Sequence, residues 1–152
     1  MSIIVNKQTE ATKELEDMES LLVVVADYAN QTGNGKLNIM GIFNELNPPG
    51  YPFQLPSMFL VFKLRAQLGE YNTKKTLSVK LMDADGQELL TIPQDITVPN
   101  IVGGKRPELQ GVIGLNNLVF TKAGTYVFVV LVNGEPKGET SIIANPLPQK
   151  QG

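Results

Sequence analysis

The 152-residue sequence contains no cysteine, no histidine and no tryptophan. Without cysteine it cannot form disulfides, a thiolate nucleophile, or cysteine-ligated zinc and iron–sulfur sites. Without histidine it lacks the Ser-His-Asp triad, the usual ligands of catalytic zinc and the commonest general base near neutral pH. Carboxylate pairs, an activated lysine or tyrosine, and oxygen-ligated calcium or magnesium are the remaining options. We therefore expect no enzymatic activity and no cofactor, and an enzyme is the weakest alternative.

Charge and long apolar runs are also scarce. The net charge of -2 and the pI near 5.2 lack the basic excess that nucleic-acid binding requires. The longest apolar runs, residues 21–26 and 126–132, are far shorter than the ~20 residues that span a bilayer. The first residues have no basic segment and no apolar run of signal-peptide length. We expect a soluble, cytoplasmic protein, and the missing cysteine agrees with a reducing compartment.

The chain divides into three predicted segments. Residues 7–19 are rich in Glu and Lys and free of Gly and Pro, which predicts a short N-terminal helix. From residue 21 onward, β-branched and aromatic runs alternate with turn signals. The expected organisation is a helical extension over 1–20, a β-sandwich domain over 21–145 and a flexible tail over 146–152.

Alternating side chains predict the strands. In residues 57–68 the inward set is expected to be Met58, Leu60, Phe62, Leu64, Ala66 and Leu68. The eight predicted strands are 21–29, 36–44, 57–68, 76–83, 88–92, 111–120, 125–133 and 139–144. Residues 93–110 carry three prolines and are expected to be irregular, apart from an edge piece at 96–98. The pattern predicts an all-β, antiparallel Greek-key β-sandwich, immunoglobulin-like or C2-like, with a partly closed barrel as the alternative.

Three short motifs predict local geometry. Asn34-Gly35 and Asn133-Gly134 are dipeptides that take the positive φ values of tight hairpins. The sequence Gly124-Thr125-Tyr126 at the start of a late strand is typical of a tyrosine corner, in which the hydroxyl bonds to nearby backbone. Tyr126 is therefore expected to be structural.

Asp83 and Asp85, just before Gly86, resemble the opening of a calcium loop, because carboxylates two residues apart can bind one ion. The twelfth position, Gln94, lacks the glutamate of a helix-loop-helix site. An Asp-rich hairpin turn is the simpler alternative.

Two further segments offer contacts to a partner. Residues 46–56 hold four prolines, and this stiff loop presents Tyr51 and Phe53, either as a contact surface or as a cap on the core. Lys105 and Arg106 follow a Gly-Gly pair but lack the spacing of a phosphate-binding loop. They are expected to form a basic feature on a loop.

The chain connections predict two different ends of the sandwich. If consecutive strands run antiparallel, the Pro-rich loop shares one end with the turns at 83–86 and 122–124. This acidic end is expected to carry Glu45, Asp83, Asp85 and Glu88. The opposite, basic end is expected to gather Asn34, Lys74, Lys75, Lys105, Arg106 and Lys137.

Residues 25–30 (VADYAN) and 35–43 (GKLNIMGIF) resemble a bacterial family catalogued as a domain of unknown function, whose members look like ADYA…GKLNxxGIF. The resemblance covers most of residues 21–145. It implies no catalytic residues, because the family has no established activity. Asp27 and Asn38 are expected to be polar partners across this hairpin, with a ligand site as the alternative.

These observations favour a non-catalytic module that acts through protein contacts or self-association, as an accessory part of a bacterial or phage-encoded assembly. The alternative is a sandwich that binds calcium or a small ligand through Asp83 and Asp85.

Overall fold

The computed structural model describes residues 18–100 and 103–149. Within them the chain forms nine strands and one 3-10 helix. The strands are β1 Glu19–Gln31, β2 Leu37–Phe43, β3 Glu45–Leu46, β4 Phe53–Arg65, β5 Lys74–Met82, β6 Glu88–Thr97, β7 Glu108–Phe120, β8 Gly124–Val132 and β9 Glu135–Ala144. They build a four-stranded sheet, β2-β1-β4-β7, and a five-stranded sheet, β3-β9-β8-β5-β6. The all-β, two-sheet prediction is confirmed.

The predicted N-terminal helix lies almost entirely outside the described residues. Its predicted extension reached residue 20, whereas Glu19 and Ser20 already belong to β1. At the other terminus, residues 145–149 follow β9 without regular secondary structure.

Strand alternation places the core between the two sheets. The predicted inward residues of β4 are at most 5% exposed from Met58 to Ala66. Leu68 is the exception at 47%, because β4 ends at Arg65 and the chain turns into the 3-10 helix Leu68–Glu70. The buried side chains of the facing sheet include Leu77, Val79, Leu81, Phe128 and Val130. Burial of each large apolar side chain stabilises the fold by about 1.5–3 kcal/mol.

Strand β6 extends further than its prolines suggested. The predicted strand ended at residue 92, but β6 continues through Pro93 to Thr97, and Pro93 lies opposite Ser78 of β5. The prediction of an irregular segment was wrong here, because β6 is an edge strand paired only with β5. An edge tolerates a missing N–H that faces away from the sheet.

The chain between β2 and β3 connects the two sheets. Strand β2 pairs with β1 in the first sheet, and β3 pairs in parallel with β9 in the second. The Ile143 amide donates to the Asn44 carbonyl at 2.8 Å, and the Asn145 amide donates to the Leu46 carbonyl at 2.9 Å. The sandwich is therefore antiparallel except for this one short pair among the described strands.

The two predicted Asn-Gly hairpins differ. At β8–β9, Asn133 and Gly134 have φ values of 51° and 80°, as predicted. At β1–β2, only Gly35 has a positive φ, 83°. The Gly35 amide donates to the Thr32 carbonyl at 3.0 Å, so this loop is a three-residue turn ending in a left-handed glycine.

Tyr126 forms the predicted corner. Its ring is 1% exposed, and its hydroxyl donates to the Lys122 carbonyl at 2.7 Å. Phe120 packs edge-on against the ring with centroids 4.8 Å apart. The contacts confirm that Tyr126 is structural.

Candidate interaction surface

The β1–β2 hairpin folds over the outward face of its own sheet. Gly41, with a φ of 72°, lies between the pairs Ala26–Ile42 and Tyr28–Met40, and the hairpin bends there. At its tip, the Gly35 carbonyl accepts a hydrogen bond from the Gln110 side chain of β7. Since β4 separates β1 from β7 in the sheet, the tip reaches β7 only by crossing the face of β4.

The folded hairpin buries apolar groups outside the main core. Val61 alternates with the inward residues of β4 and points outward, yet it is 0% exposed. Ala29 of the hairpin is 3% exposed. The Tyr28 ring packs edge-on against Phe59 of β4, with centroids 5.3 Å apart. These contacts hold the hairpin against β4.

The hairpin also presents large apolar side chains to solvent. Met40 and Ile42 are 64% and 61% exposed, the two highest values for large apolar residues in the described part of the chain, and Tyr28 is 47% exposed. We call Tyr28, Met40 and Ile42 the hairpin surface. Exposed apolar groups that cluster in this way are typical of interaction sites.

An asparagine pair lies beside the hairpin surface. The Asn38 amide donates to the Asn30 side-chain oxygen at 2.9 Å. The predicted partnership between Asp27 and Asn38 is therefore wrong, and Asp27 instead lies against Gly41. The reason is the bend, which places Asp27 beside a residue without a side chain.

A cleft of about 320 Å³ adjoins the hairpin surface. It opens where the two sheets meet, and its lining residues are Val24, Val25, Ile42, Phe43, Asn44 and Thr140. Because Ile42 belongs to both features, the cleft and the hairpin surface form one continuous site. The lining of the cleft combines apolar side chains with Asn44 and Thr140, and a cleft of this size accepts a small group with both apolar and polar atoms.

Sequence reasoning missed this site. Gly41 within an otherwise regular strand was the available signal, since an interior glycine often marks a bend or a close approach. Tyr28 lies opposite Met40 because of the register of the hairpin, and the type of turn at its tip sets that register.

Tyr51 and Phe53, predicted as partner contacts, both pack against the main core. The Tyr51 hydroxyl donates to the Asn145 carbonyl at 2.6 Å. Burial, and secondarily Tyr126, raises the pKa of the Tyr51 phenol. This placement corresponds to the core-capping alternative for the Pro-rich loop.

Arg106 is held within the fold, whereas Lys105 is exposed. The Arg106 Nε donates to the Ala66 carbonyl at 3.1 Å, and its Nη1 lies 3.0 Å from the Glu19 carboxylate. Its Nη2 is buried without an acceptor among residues 18–100 and 103–149. Lys105 forms no ion pair with any residue in those ranges.

Asp83 and Asp85 have internal partners. One Asp83 oxygen accepts the backbone N–H groups of Asp85 at 3.0 Å and Gln87 at 2.9 Å. Asp85 pairs with Lys122, and this hydrogen bond is the main cause of the raised pKa of the lysine. No group of three or more metal-ligating side chains occurs in the described segments. The geometry is that of an Asx-stabilised turn.

Lys74 and Lys105 lie at one end of the sandwich, as predicted. Lys74 begins β5, just after the chain leaves the end of β4. Lys105 lies near the same end of β4, because the Ala66 amide donates to the carbonyl of Pro107. The Pro-rich loop and the 83–86 turn lie at the other end. Five cations near the first end lie in ion pairs, and four carboxylates serve them: Arg106–Glu19, Arg65–Glu108, Lys63–Glu108, Lys75–Glu70 and Lys137–Glu135. Lys74 and Lys105 form no ion pair with any residue of 18–100 or 103–149, so this end keeps an excess of positive charge.

Three solved structures are similar to the chain. The alkylpurine DNA glycosylase AlkC of Pseudomonas fluorescens, bound to DNA with an abasic-site analogue, has a TM-score of 0.48 and 13% identity, over 85% of this chain and 30% of that one. The C-terminal domain of Wzt has a TM-score of 0.47 and 11% identity, over 89% and 77%. An immunoglobulin-like protein from Pseudomonas aeruginosa has a TM-score of 0.42 and 14% identity, over 85% and 97%.

At these scores and identities, the similarities carry no functional assignment. The chain spans about 30% of the glycosylase. Within the described ranges, no helix is both long and apolar enough to cross a membrane. No curated protein sequence matches the chain. One family model matches residues 21–145, which is also the range that the sequence resemblance covers. The chain therefore belongs to the family of unknown function DUF6941.

Proposed function

We propose that the chain is a non-catalytic β-sandwich module that binds a protein partner through the hairpin surface and its cleft. The observation that carries this proposal is the exposure of Met40 and Ile42, at 64% and 61%, on a hairpin held firmly against the sheet. A rigid support limits the conformational entropy lost on binding.

The site contains the side-chain types that protein contacts use. Met40 is flexible and adapts to a partner's shape, while Tyr28 offers a large ring with a polar tip. The cleft beside Ile42 accepts a side chain from the partner. Such anchors at the centre of an interface contribute most of its binding free energy.

The topology agrees with a binding role. Strands β1, β4 and β7 face strands β9, β8, β5 and β6, with a tyrosine corner at the start of β8, which supports an immunoglobulin-type Greek-key arrangement. This architecture serves many binding modules, although architecture alone does not define function. We place the protein in the cytoplasm, as part of an assembly, because a chain without cysteine suits a reducing compartment.

The proposal predicts loss of binding when the hairpin surface becomes polar. With the full chain as bait, affinity capture and quantitative mass spectrometry should recover partners at least ~10-fold less well for Met40→Ser/Ile42→Ser, since this removes about 1.4 kcal/mol or more. The control is Leu89→Ser/Leu147→Ser, which changes two residues exposed at 42% and 44% elsewhere. Equal recovery by both variants would refute the proposal.

Calcium binding at Asp83 and Asp85 is the alternative, and the turn geometry disfavours it because both carboxylates already have partners. We expect millimolar calcium to change the melting temperature by less than about 1 °C, since an ion that does not bind the folded state cannot stabilise it. A larger increase that Asp85→Asn abolishes would restore the calcium hypothesis.

A further inference from the structure

Strand β7, Glu108–Phe120, forms an open edge of the four-stranded sheet. It pairs with β4 on one side only. On its other side, no backbone of residues 18–100 or 103–149 pairs with it. An open edge presents free N–H and C=O groups on which another strand can add.

This edge lacks the features with which proteins protect exposed strands, which are lysine, proline, bulges and short length. It is 13 residues long, contains no proline, and has a single charged residue, Glu108, at its beginning. The other edges are protected: β6 contains Pro93 and two carboxylates, β3 has two residues, and β2 bends at Gly41. Among the described strands, β7 is thus the longest edge without proline or lysine, and its backbone leaves the extended conformation only near its end, at Asn117, where φ is 58°.

We propose that two copies of the chain associate through antiparallel pairing of their β7 strands. The two four-stranded sheets then become one eight-stranded sheet about a two-fold axis. Such a contact uses the same surface on both copies and therefore closes at the dimer. The inference concerns a different surface from the hairpin surface and does not depend on it.

The strand is complementary to itself in this orientation. When β7 is paired along its whole length, its midpoint, Gly114, lies opposite Gly114 of the second copy. Glu108 then lies opposite Phe120 of the second copy, so like charges do not face each other. Glu108 is also neutralised within its own chain, because Lys63 lies 3.1 Å and Arg65 3.8 Å from its carboxylate.

The size of the contact sets its expected strength. At 3.3 Å per residue, the strand is about 43 Å long, and an edge about 10 Å thick buries roughly 900 Å² in total. Val119, 46% exposed near one end of the strand, adds apolar area. Interfaces below about 1,200 Å² are typical of weak, reversible contacts, so we expect a dissociation constant on the order of micromolar or weaker.

Sedimentation velocity on the full chain, from about 5 to about 500 μM, should show a monomer–dimer equilibrium centred in the micromolar range. The variant Asn116→Lys/Val119→Lys adds two charges at exposed positions of β7. It should raise the dissociation constant at least ~10-fold. The control, Leu89→Lys/Thr91→Lys, adds the same charge on the edge strand β6 and should dimerise like the wild type.

A cysteine placed at the predicted axis tests the register. The natural chain has no cysteine, so a single introduced thiol has no competitor. Gly114→Cys should form a disulfide-linked dimer on mild oxidation, whereas Leu89→Cys should not. A new Cβ at position 114 lies 3.2 Å from the Phe59 ring, and the lysine variants test the proposal independently if this substitution impairs folding.

Two results would overturn the proposal. A full chain that stays monomeric at about 500 μM would show that a second copy does not cover β7 and would leave the edge to an extended segment of another protein. A β7 variant that dimerises as strongly as the β6 control would place the contact elsewhere. Melting curves of both lysine variants establish that each is folded.

Discussion

Replacing Tyr126 with alanine is expected to lower the free energy of unfolding by about 4 kcal/mol, the largest loss that we predict for a single substitution. The ring is the largest fully buried side chain in the described part of the chain, and Phe120 packs against it at 4.8 Å. Alanine leaves a cavity that the surrounding sheets cannot close. Since a domain of this kind has about 5–15 kcal/mol of stability in total, urea unfolding should show a much lower midpoint.

Tyr126→Phe separates the ring from its hydroxyl. It keeps the packing but removes the bond to the Lys122 carbonyl at 2.7 Å, and the expected loss is about 1–2 kcal/mol. If the phenylalanine variant unfolds at the wild-type midpoint, the corner bond makes no net contribution to stability.

Gly41→Ala is expected to cost about 3 kcal/mol and to displace the hairpin. The residue has a φ of 72°, which costs other residues about 1–2 kcal/mol. A Cβ there would also meet the Asp27 carboxylate, with Cγ at 2.9 Å, and overpacking costs about 1–3 kcal/mol. Urea unfolding measures the total loss of stability. Because the substitution displaces the hairpin surface, the recovery of partners in the capture experiment should also decrease.

Gly35→Ala is the matched control, because its φ is 83° but no heavy atom lies within 4 Å of the new Cβ. It should show the backbone strain alone, about 1 kcal/mol. Asp27→Ala should recover about 1–2 kcal/mol when combined with Gly41→Ala, since it removes the nearest clashing atoms. Equal losses for Gly41→Ala and Gly35→Ala would show that the Asp27 contact does not shape the bend.

The interior of the sandwich could be predicted because it depends on a local rule. Side chains alternate along a strand, so the inward positions from Met58 to Ala66 follow from residue types alone. The rule fails at Leu68, where the strand has ended. It also fails at Pro93, because position at a sheet edge is a tertiary property that the local sequence does not carry.

The surface could be predicted less well, because its charges depend on strand register. Arg65 and Glu108 are 43 positions apart in sequence, yet they lie opposite each other across β4 and β7. Glu19 likewise reaches Arg106 from the beginning of β1. A count of the cations in the loops at one end omits these carboxylate partners, so it overstates the positive charge of that end.

The hairpin surface could not be predicted for a related reason. Tyr28, Met40 and Ile42 read as ordinary strand residues whose apolar side belongs in a core. Their exposure follows from the bend at Gly41 and from the position of the hairpin over β4, where Tyr28 packs on Phe59 while Met40 and Ile42 stay exposed. The glycine permits the bend, and the contact between Gln110 and the hairpin tip is tertiary, so the local sequence does not carry it.

The short link between β2 and β3 has a mechanical consequence. Because this one segment bonds to β1 on one side of Asn44 and to β9 on the other, a pull on the bound hairpin is shared by both sheets. When the pull is directed along the strands, several backbone hydrogen bonds must shear together before the hairpin detaches. A module anchored in this way can hold a tethered partner under tension without being peeled open one bond at a time.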